Sequence, residues 1–226
     1  GNGAALVLTA QETLASGPEL LKLLQSARIT TVTLPPSLLA LLSPSELPLL
    51  ETVIAAGERC TNEIVAQWAG NRRFFNAYGP TETTVCATMR MCRPDEAWPF
   101  GGPPIGGPIA NFQCYVVDAA LQPQPIGVPG ELLIGGVGVA KGYLNRPELT
   151  AERYIENPYE AGERLYRSGD LVRMRADGNL ECLGRIDHQV KIRGFRVELG
   201  EVESVLGQQA GVKECVVWVQ TDGGVK

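Results

Sequence analysis

From Gly1 to about Met91, helical patterns alternate with short apolar runs, and this alternation limits the possible fold more than any other feature of the sequence. The segment PELLKLLQSA (18–27) has leucines spaced for one helical face, and TNEIVAQWAG (61–70) begins and ends with cap-type residues. The runs ITTVTL (29–34) and TVIAAG (52–57) are typical of short strands. Strands that alternate with helices predict a parallel sheet covered by helices.

The pattern changes after PFGGPPIGGP (99–108), which has the composition of a turn-rich linker. Short strand-like runs follow, separated by turns: FQCYVVD, GELLIGG, LYRSGDLVRM and NLECLG. The turn at Ala176–Gly178 lies between two of these runs, as a β-hairpin requires, and one helix is predicted near Pro147–Tyr154. This part of the chain, to Asp187, is therefore predicted to be a small β-rich subdomain.

A third part follows Asp187. It contains the run HQVKIRG, a helix predicted at about Leu199–Gln209 and a strand predicted at ECVVWVQ (214–220). So short a piece cannot bury a core of its own, which predicts that it is truncated. The predicted fold class is α/β, with an incomplete α/β subdomain at 1–98, the β-rich subdomain at 99–187 and a C-terminal α+β piece at 188–226.

Composition excludes several classes of protein. The hydrophobic content of 44% is ordinary for a globular protein, and the formal charge of −5 argues against a nucleic-acid partner. No apolar run approaches the about 20 residues of a membrane span, so no membrane association is expected. The six cysteines are scattered and never form C-x-x-C. They predict buried thiols in a reducing cytoplasm rather than a zinc site or a disulfide framework.

The segment NAYGPTETT (76–84) places a Gly-Pro corner between a tyrosine and a cluster of threonines with one glutamate. Tyr78 offers a flat face for a base, and Thr81 offers a hydroxyl for a phosphate oxygen. A carboxylate at Glu82 beside phosphate would need a divalent cation between them, which indicates Mg²⁺. The same residues also fit a plain Gly-Pro turn with Glu82 in solvent, because such turns are common.

Two aspartates near the end of the β-rich part are candidates for a second cluster. In YRSGDL (166–171), Asp170 follows a Ser-Gly corner, where an exposed carboxylate could accept hydrogen bonds from both hydroxyls of a ribose. An aspartate in an ordinary β-turn is the alternative. Asp187 lies where the β-rich part ends, beside the cation of Arg185. It could belong to a joint or to a solvated loop.

Taken together, in this order and spacing, these segments resemble the adenylation domains of nonribosomal peptide synthetases, within the adenylate-forming superfamily. The segments that carry the resemblance are NAYGPTETT, GELLIGGVGVAKGYLNRPELTAERY, LYRSGDL and GRIDHQVKIRGFRVELGEVE. Members of that family activate an amino acid with Mg-ATP. They then pass the acyl group to the phosphopantetheine thiol of a peptidyl carrier protein within a larger synthetase.

The resemblance implies a role for each matching residue. Tyr78 would stack on adenine, and Asn76 would help to hold the base. Thr81 would contact phosphate, Glu82 would bind Mg²⁺, and Asp187 would be the hinge of a C-terminal lid. The implied catalytic residues are Thr81, Glu82 and Arg185. The implied nucleotide-binding residues are Gly57, Asn76, Ala77, Tyr78, Gly79, Thr81, Asp170 and Arg185.

The resemblance also implies a pocket for the amino-acid side chain, lined by Thr33, Ile54, Ala56, Ala77, Val85 and Cys86. These groups are small or aliphatic and carry little charge, so the set suits a large apolar side chain and is similar to that of phenylalanine-activating domains. Their composition fits plain core residues equally well.

The sequence lacks some features of the family. We expect the chain to be an internal piece, because a phosphate-binding loop, an upstream aspartate and a C-terminal lysine of the family are absent from it. We expect that it does not complete the adenylation alone. Two other functions stay open: an acyl- or aryl-CoA ligase of the same superfamily, and a non-catalytic module that binds nucleotide or carrier protein.

Overall fold

Three parallel strands connected by helices form the beginning of the chain in a computed structural model, as the alternating pattern predicts. The structure describes residues 3–99, 101–187, 189–192, 195–209 and 211–219. In the parallel register, Val53 lies beside Val32 on one side and Phe74 on the other. The elements of this part are α1 (Gln11–Ala15), α2 (Gly17–Ser26), β1 (Thr31–Leu34), α3 (Pro36–Leu39), β2 (Thr52–Ala55), α4 (Asn62–Trp68), β3 (Arg73–Tyr78) and β4 (Thr88–Cys92).

The chain divides into two compact units. The first contains residues 1–77 and 90–103, and the second contains residues 78–89 and 104–226. The limits predicted from the sequence, 98/99 and 187/188, differ from this division, and they stay a prediction about the subdomains.

The core of the first unit is built from the predicted helical faces and strand runs. Leu20 and Leu24 of α2 are buried, as the leucine spacing predicts. Trp68 at the end of α4 is fully buried, and its indole N–H donates to the carbonyl of Leu39 at 3.3 Å. The hydroxyl of Thr61 accepts the N–H of Ile64 at 3.4 Å, which confirms the predicted cap of α4.

An antiparallel sheet dominates the second unit. Its strand order is β10-β9-β7-β6, with β8 paired to β9. The predicted hairpin is confirmed: Arg175 and Asn179 are hydrogen-bonded across the turn at 2.8 Å. The elements are β5 (Gly107–Pro108), β6 (Phe112–Val117), β7 (Pro129–Gly136), α5 (Pro147–Arg153), β8 (Tyr154–Glu156), β9 (Arg164–Met174) and β10 (Leu180–Arg185). Its largest core cluster contains Ala87, Ile105, Val116, Leu132, Ile134, Val172 and Leu180.

The end of the described chain is a hairpin followed by a helix. The strands β11 (Gln189–Ile192) and β12 (Phe195–Glu198) pair antiparallel, and α6 covers Leu199–Gly207. The strand predicted at 214–220 is wrong for residues 214–219, which have no strand structure, and Gln220 lies outside the described residues. A strand needs a neighbouring strand to pair with, and within the described residues this segment pairs with none. The side chain of Glu203 accepts the N–H of Val217 instead, at 2.8 Å.

The predicted α/β class is confirmed, since a parallel sheet with helices is followed in sequence by a β-rich part and a short α+β piece. Of the helices in the described ranges, none combines the length and the apolar character that crossing a bilayer requires.

Candidate active site

The corner between β3 and β4 leaves no room for a side chain at Gly79. The N–H of Ala87 donates to the carbonyl of Tyr78 at 2.8 Å, so the chain doubles back at once. A Cβ atom at Gly79 would lie 2.7 Å from the nitrogen of Ala87 and 2.7 Å from the carbonyl oxygen of Val85. The residues Thr81–Thr83 form a single 3₁₀ turn. The tight path of the backbone therefore explains the glycine of the Gly-Pro pair.

The same corner contains two β-branched residues with left-handed backbone. Their φ angles are 56° at Thr84 and 71° at Val85. Such conformations cost about 1–3 kcal/mol each and persist where surrounding contacts hold them, often at functional sites. One holding contact is the hydrogen bond from the Thr84 hydroxyl to the carbonyl of Gly138, at 2.8 Å.

Asp170 joins residues that are far apart in the sequence. It lies in β9 and is 7% exposed, so the expectation of an exposed carboxylate is wrong. Its Oδ2 accepts a hydrogen bond from the phenol of Tyr78, which is 92 residues earlier in the chain. Its Oδ1 accepts one from Nη1 of Arg185, at 2.9 Å. The structure thus brings Tyr78, Asp170 and Arg185 together, all of them within the second unit.

The Ser-Gly corner before Asp170 fixes the backbone that carries this carboxylate. Gly169 has φ 70°, and a Cβ atom there would lie 2.7 Å from Oδ2 of Asp187. The N–H of Asp170 donates to the hydroxyl of Ser168 at 3.0 Å. The N–H of Gly169 donates to Oε1 of the buried Glu131 at 3.3 Å. The corner therefore has little freedom to move.

Arg185 links Asp170 to Asp187. Its Nε and Nη2 donate in parallel to the two carboxylate oxygens of Asp187, at 2.6 and 2.7 Å. Burial opposes the charge of Arg185, but the two aspartates outweigh that effect and raise its pKa. Burial also acts to raise the pKa of Asp187, but the hydrogen bond and the charge of Arg185 outweigh it, so this pKa is lowered. Arg185 and Asp187 are therefore both charged at neutral pH.

Tyr78 is a neutral hydrogen-bond donor. Burial raises its pKa well above the ordinary value, and the charge and hydrogen bond of Asp170 raise it further. The half-buried ring packs against the core cluster of the second unit. Tyr78 therefore orients the Asp170 carboxylate and does not act as an acid near neutral pH.

Glu82 is buried rather than solvated, so the alternative of a plain turn with Glu82 in solvent is wrong. It is 8% exposed. Its Oε1 accepts the hydroxyl hydrogen of Tyr143 at 2.7 Å, and its carbonyl accepts the N–H of Ala140 at 2.9 Å. Both the side chain and the backbone of Glu82 are therefore held by residues that lie far ahead in the sequence.

The surroundings of Glu82 fit a magnesium ion that arrives with phosphate. Within the part of the chain that the structure describes, no group of three or more His, Cys, Asp or Glu side chains could hold a metal. Mg²⁺ is usually bound through one or two carboxylates, with phosphate and water as the remaining ligands. A single buried carboxylate in a polar corner meets that requirement.

The remaining predicted nucleotide residues have varied surroundings. Thr81 is exposed at the start of the 3₁₀ turn. In the first unit, Asn76 and Ala77 are buried near the end of β3, and the amide of Asn76 donates to the carbonyl of Pro103 at 3.3 Å. Gly57 is exposed with φ 86°, just after β2.

The predicted pocket residues occur in both units. In the first unit, Thr33 and Ile54 are direct partners in the β1–β2 register, and Ala56 is half-buried. In the second unit, Val85 is 66% exposed and Cys86 is half-buried. Thr33 and Val85 are exposed, so these two are not plain core residues. For them, the alternative that the six residues simply form the core is wrong.

The sequence interpretation missed Tyr143 and Glu131. Tyr143 lies in the segment GYLN, and its pattern gives no indication that it reaches Glu82, 61 residues earlier. Glu131 begins an apolar strand run, where a glutamate suggests only a sheet edge. It is 9% exposed and pairs with Arg167 at 2.6 Å.

The chain is similar in sequence to one family of enzymes and to several peptide synthases. A sequence model of the family described as AMP-binding enzyme matches residues 1–144. Bacitracin synthase 3 of Bacillus licheniformis is 51% identical over 220 residues, which is 97% of this chain and 3% of that protein. Tyrocidine synthase 1 of Brevibacillus parabrevis is 45% identical over 221 residues, which is 98% of this chain and 20% of that protein.

Two solved structures are similar as well. The artificially fused adenylation–PCP di-domain NpsA-ThdA from Klebsiella oxytoca has a TM-score of 0.78 at 29% identity, covering 97% of this chain and 41% of that one. The Vibrio cholerae adenylation domain AlmE, in complex with glycyl-adenosine-5'-phosphate, has a TM-score of 0.76 at 30% identity, covering 91% of this chain and 41% of that one. The chain spans less than half the length of each of these proteins.

Proposed function

Because the chain belongs to the family of AMP-binding enzymes, we propose that it is part of an amino-acid-activating domain of a nonribosomal peptide synthetase. The domain joins an amino-acid carboxylate to the AMP moiety of ATP, and pyrophosphate leaves. The thiol of a carrier-protein phosphopantetheine then takes the aminoacyl group, and AMP leaves.

The observation that carries this proposal is the meeting of Tyr78, Asp170 and Arg185. Asp170 would accept hydrogen bonds from the ribose hydroxyls, held by the phenol of Tyr78 and by Arg185 at 2.9 Å. The ring of Tyr78 would lie against the adenine. Asn76 would help to hold the base, with Ala77, Gly79 and Gly57 along the nucleotide.

The phosphates would lie at the corner of Thr81 and Glu82. The exposed hydroxyl of Thr81 would donate to a phosphate oxygen, and the Glu82 carboxylate would hold Mg²⁺. When bound, Mg²⁺ offsets the negative charge of the phosphates. Arg185, whose charge is stabilised by two aspartates, would supply a fixed positive charge near the reacting AMP moiety.

We propose an aromatic amino acid, specifically phenylalanine, as the substrate. The proposal rests on the small or aliphatic, weakly polar set of Thr33, Ile54, Ala56, Ala77, Val85 and Cys86. A pocket of this kind has no charge to pair with a polar side chain, and it gains most from burying a large apolar one.

The proposed partners are a peptidyl carrier protein and the neighbouring domains of a synthetase, in the cytoplasm. The adenylation–PCP di-domain from Klebsiella oxytoca supports the carrier protein as a partner. The free thiols of the described chain suit a reducing compartment.

The test is amino-acid-dependent ATP–pyrophosphate exchange by the full-length protein, with phenylalanine, glycine and no amino acid. Glu82→Ala and Asp170→Ala each remove a charged contact of the proposed site. Each is expected to lower the exchange rate by about 10²–10³-fold, the usual cost of losing one such contact.

Asp177→Ala is the matched control, because Asp177 is an exposed carboxylate on the β9–β10 turn. It should leave exchange unchanged. Wild-type exchange in both Glu82→Ala and Asp170→Ala would contradict the assigned roles. Exchange with glycine but not with phenylalanine would contradict the proposed substrate alone.

A further inference from the structure

The segment 138–143, here called the support segment, holds the corner that carries Glu82. The hydroxyl of Thr84 donates to the carbonyl of Gly138 at 2.8 Å, and the N–H of Ala140 donates to the carbonyl of Glu82 at 2.9 Å. The hydroxyl of Tyr143 donates to the Glu82 carboxylate itself at 2.7 Å. Both the backbone and the side chain of Glu82 are thus fixed from one segment.

Tyr143 is held in turn by α5 and β8. Its N–H donates to the hydroxyl of Thr150 at 2.9 Å, and that hydroxyl donates to the carbonyl of Arg146 at 2.7 Å. Its ring meets the ring of Tyr154 edge-on, with centroids 5.5 Å apart. A Cβ atom at Gly142 would lie 2.4 Å from Cγ2 of Thr150, so the chain needs a glycine to bring Tyr143 this close to α5.

Arg164 of β9 fixes the middle of the support segment. Its guanidinium donates to the carbonyls of Ala140 and Lys141 at 3.0 and 3.1 Å. It also lies over the ring of Tyr154, 5.6 Å from the centroid. The support segment is therefore anchored to the sheet of the second unit at several atoms.

We propose that Tyr143 is a positioning residue for the divalent cation: its hydroxyl holds the Glu82 carboxylate in the orientation that receives Mg²⁺ with ATP. The inference rests on the proposed function. Hydrogen-bond partners of a metal-binding carboxylate fix its orientation, and their loss typically costs about 10–100-fold in metal affinity or activity.

Calorimetry on the full-length protein with Mg-ATP and with AMP tests this inference. Tyr143→Phe removes one hydroxyl and keeps the ring. It is expected to weaken the binding of Mg-ATP by about 10-fold. The affinity for AMP should change by less than about twofold, which is the usual deviation between sites that do not interact. A merely structural role would weaken both ligands alike.

Tyr159→Phe is the matched control. The Tyr159 hydroxyl donates to the carbonyl of Leu121 at 2.6 Å, and its ring stacks on Tyr115 with centroids 4.5 Å apart. This variant also loses a hydroxyl that donates to an oxygen, but the lost bond does not involve Glu82. Both ligands should bind to it as they bind to the wild type.

A double-mutant cycle with Glu82→Gln separates direct coupling from indirect effects. In the Glu82→Gln background, Tyr143→Phe should cause no further loss of Mg-ATP affinity. The inference is overturned if Tyr143→Phe weakens Mg-ATP binding as much in the Glu82→Gln background as it does in the wild type. It is also overturned if Tyr143→Phe weakens AMP and Mg-ATP binding equally. If Tyr143→Phe does not fold, Thr150→Ala takes its place. It should weaken Mg-ATP binding by a smaller factor and leave AMP binding unchanged. Equal weakening of both ligands overturns the inference.

The outcomes for the wild type keep the two proposals apart. A wild-type protein that binds neither Mg-ATP nor AMP contradicts the proposed function. A wild-type protein that binds both ligands, with a Tyr143→Phe variant that binds both equally well, contradicts only the role of Tyr143.

Discussion

At the scale of single residues, the thiols differ in how strongly burial opposes their ionisation. Burial raises the pKa of Cys60 to about 12, that of Cys114 to about 12 and that of Cys92 to about 11. The thiolate is the reactive form of cysteine, so these thiols are poor nucleophiles near neutral pH. Cys182 is exposed, and the expectation that all six thiols are buried is wrong there.

We predict that Cys182 is the first of these four thiols to react with iodoacetamide at pH 8. Labelling of Cys60, Cys92 and Cys114 should be at least about 10-fold slower, since each pKa unit above the ambient pH lowers the thiolate fraction about tenfold. Peptide mass spectrometry over time measures each rate. Cys182→Ser should remove the fast phase, and rapid labelling of Cys60 would contradict the prediction.

The sequence predicts which residues form the candidate site, and that assignment stays a prediction, but it does not predict the contacts between them. Tyr78, Glu82 and Asp170 stand in short segments whose residue types suggest a nucleotide site. The bond from Tyr78 to Asp170 depends on how segments 92 residues apart meet in the second unit. Tyr143 was missed for the same reason, because local spacing does not show which strand or loop lies opposite.

At the scale of elements, the corner at 79–87 depends on a glycine that no other residue can replace without moving the backbone. The nearest atoms to a Cβ at Gly79 belong to the main chain, at 2.7–2.8 Å. Main-chain atoms cannot move aside as the end of a flexible side chain can. The same main chain carries the hydrogen bond between Ala87 and Tyr78.

We predict that Gly79→Ala lowers the free energy of unfolding by about 1–3 kcal/mol, the usual cost of inserting an atom into a packed site. Urea unfolding followed by circular dichroism measures the change. Gly200→Ala is the control, because a Cβ atom at Gly200 of α6 meets nothing within 4 Å. Alanine favours helices over glycine by about 1 kcal/mol, so this control should be neutral or stabilising. Equal stability of Gly79→Ala and the wild type would contradict the prediction.

The helix and strands of the first unit were predicted well from their residue patterns, but the strand near the end of the chain was not. The helix at 18–27 and the strand runs at 29–34 and 52–57 appear as α2, β1 and β2, within a few residues of the predicted bounds. The run at 214–219 has equally strand-like residues but no strand. Propensity alone cannot form a strand, because its backbone groups need a partner that the local sequence does not specify.

At the scale of the whole molecule, the resemblance to adenylation domains of nonribosomal peptide synthetases is confirmed by relatives and solved structures of that class. The order of motifs was enough to predict the family and the α/β class. The division of the chain into compact units was not predictable, since residues 78–89 join the second unit through contacts distant in sequence.

We predict that Asp187→Asn reduces the dependence of stability on pH. The pKa of Asp187 is lowered in the folded protein. Its ionised form therefore stabilises the fold above the ordinary aspartate pKa of 3.8, and this contribution is lost as the pH falls through the folded value. The variant should melt about 2–4 °C below the wild type at pH 6, the shift for about 1 kcal/mol in a chain of this size.

The difference in melting temperature should shrink as the pH falls below the ordinary aspartate pKa of 3.8 and through the lowered pKa of the folded protein. Asp95→Asn, at an exposed carboxylate, is the control and should follow the wild type at every pH. A difference between Asp187→Asn and the wild type that stays constant from pH 6 to pH 3 would contradict the prediction.

The guanidinium of Arg185 donates two parallel hydrogen bonds to Asp187 and a third to Asp170. One cation thus serves both the proposed pivot of the lid and the proposed ribose contact. If Asp187 is the hinge, a rotation of the backbone there would strain these hydrogen bonds, because Arg185 joins Asp187 to Asp170. A mutation that changes the flexibility of the proposed hinge is therefore expected to change the proposed nucleotide contact as well.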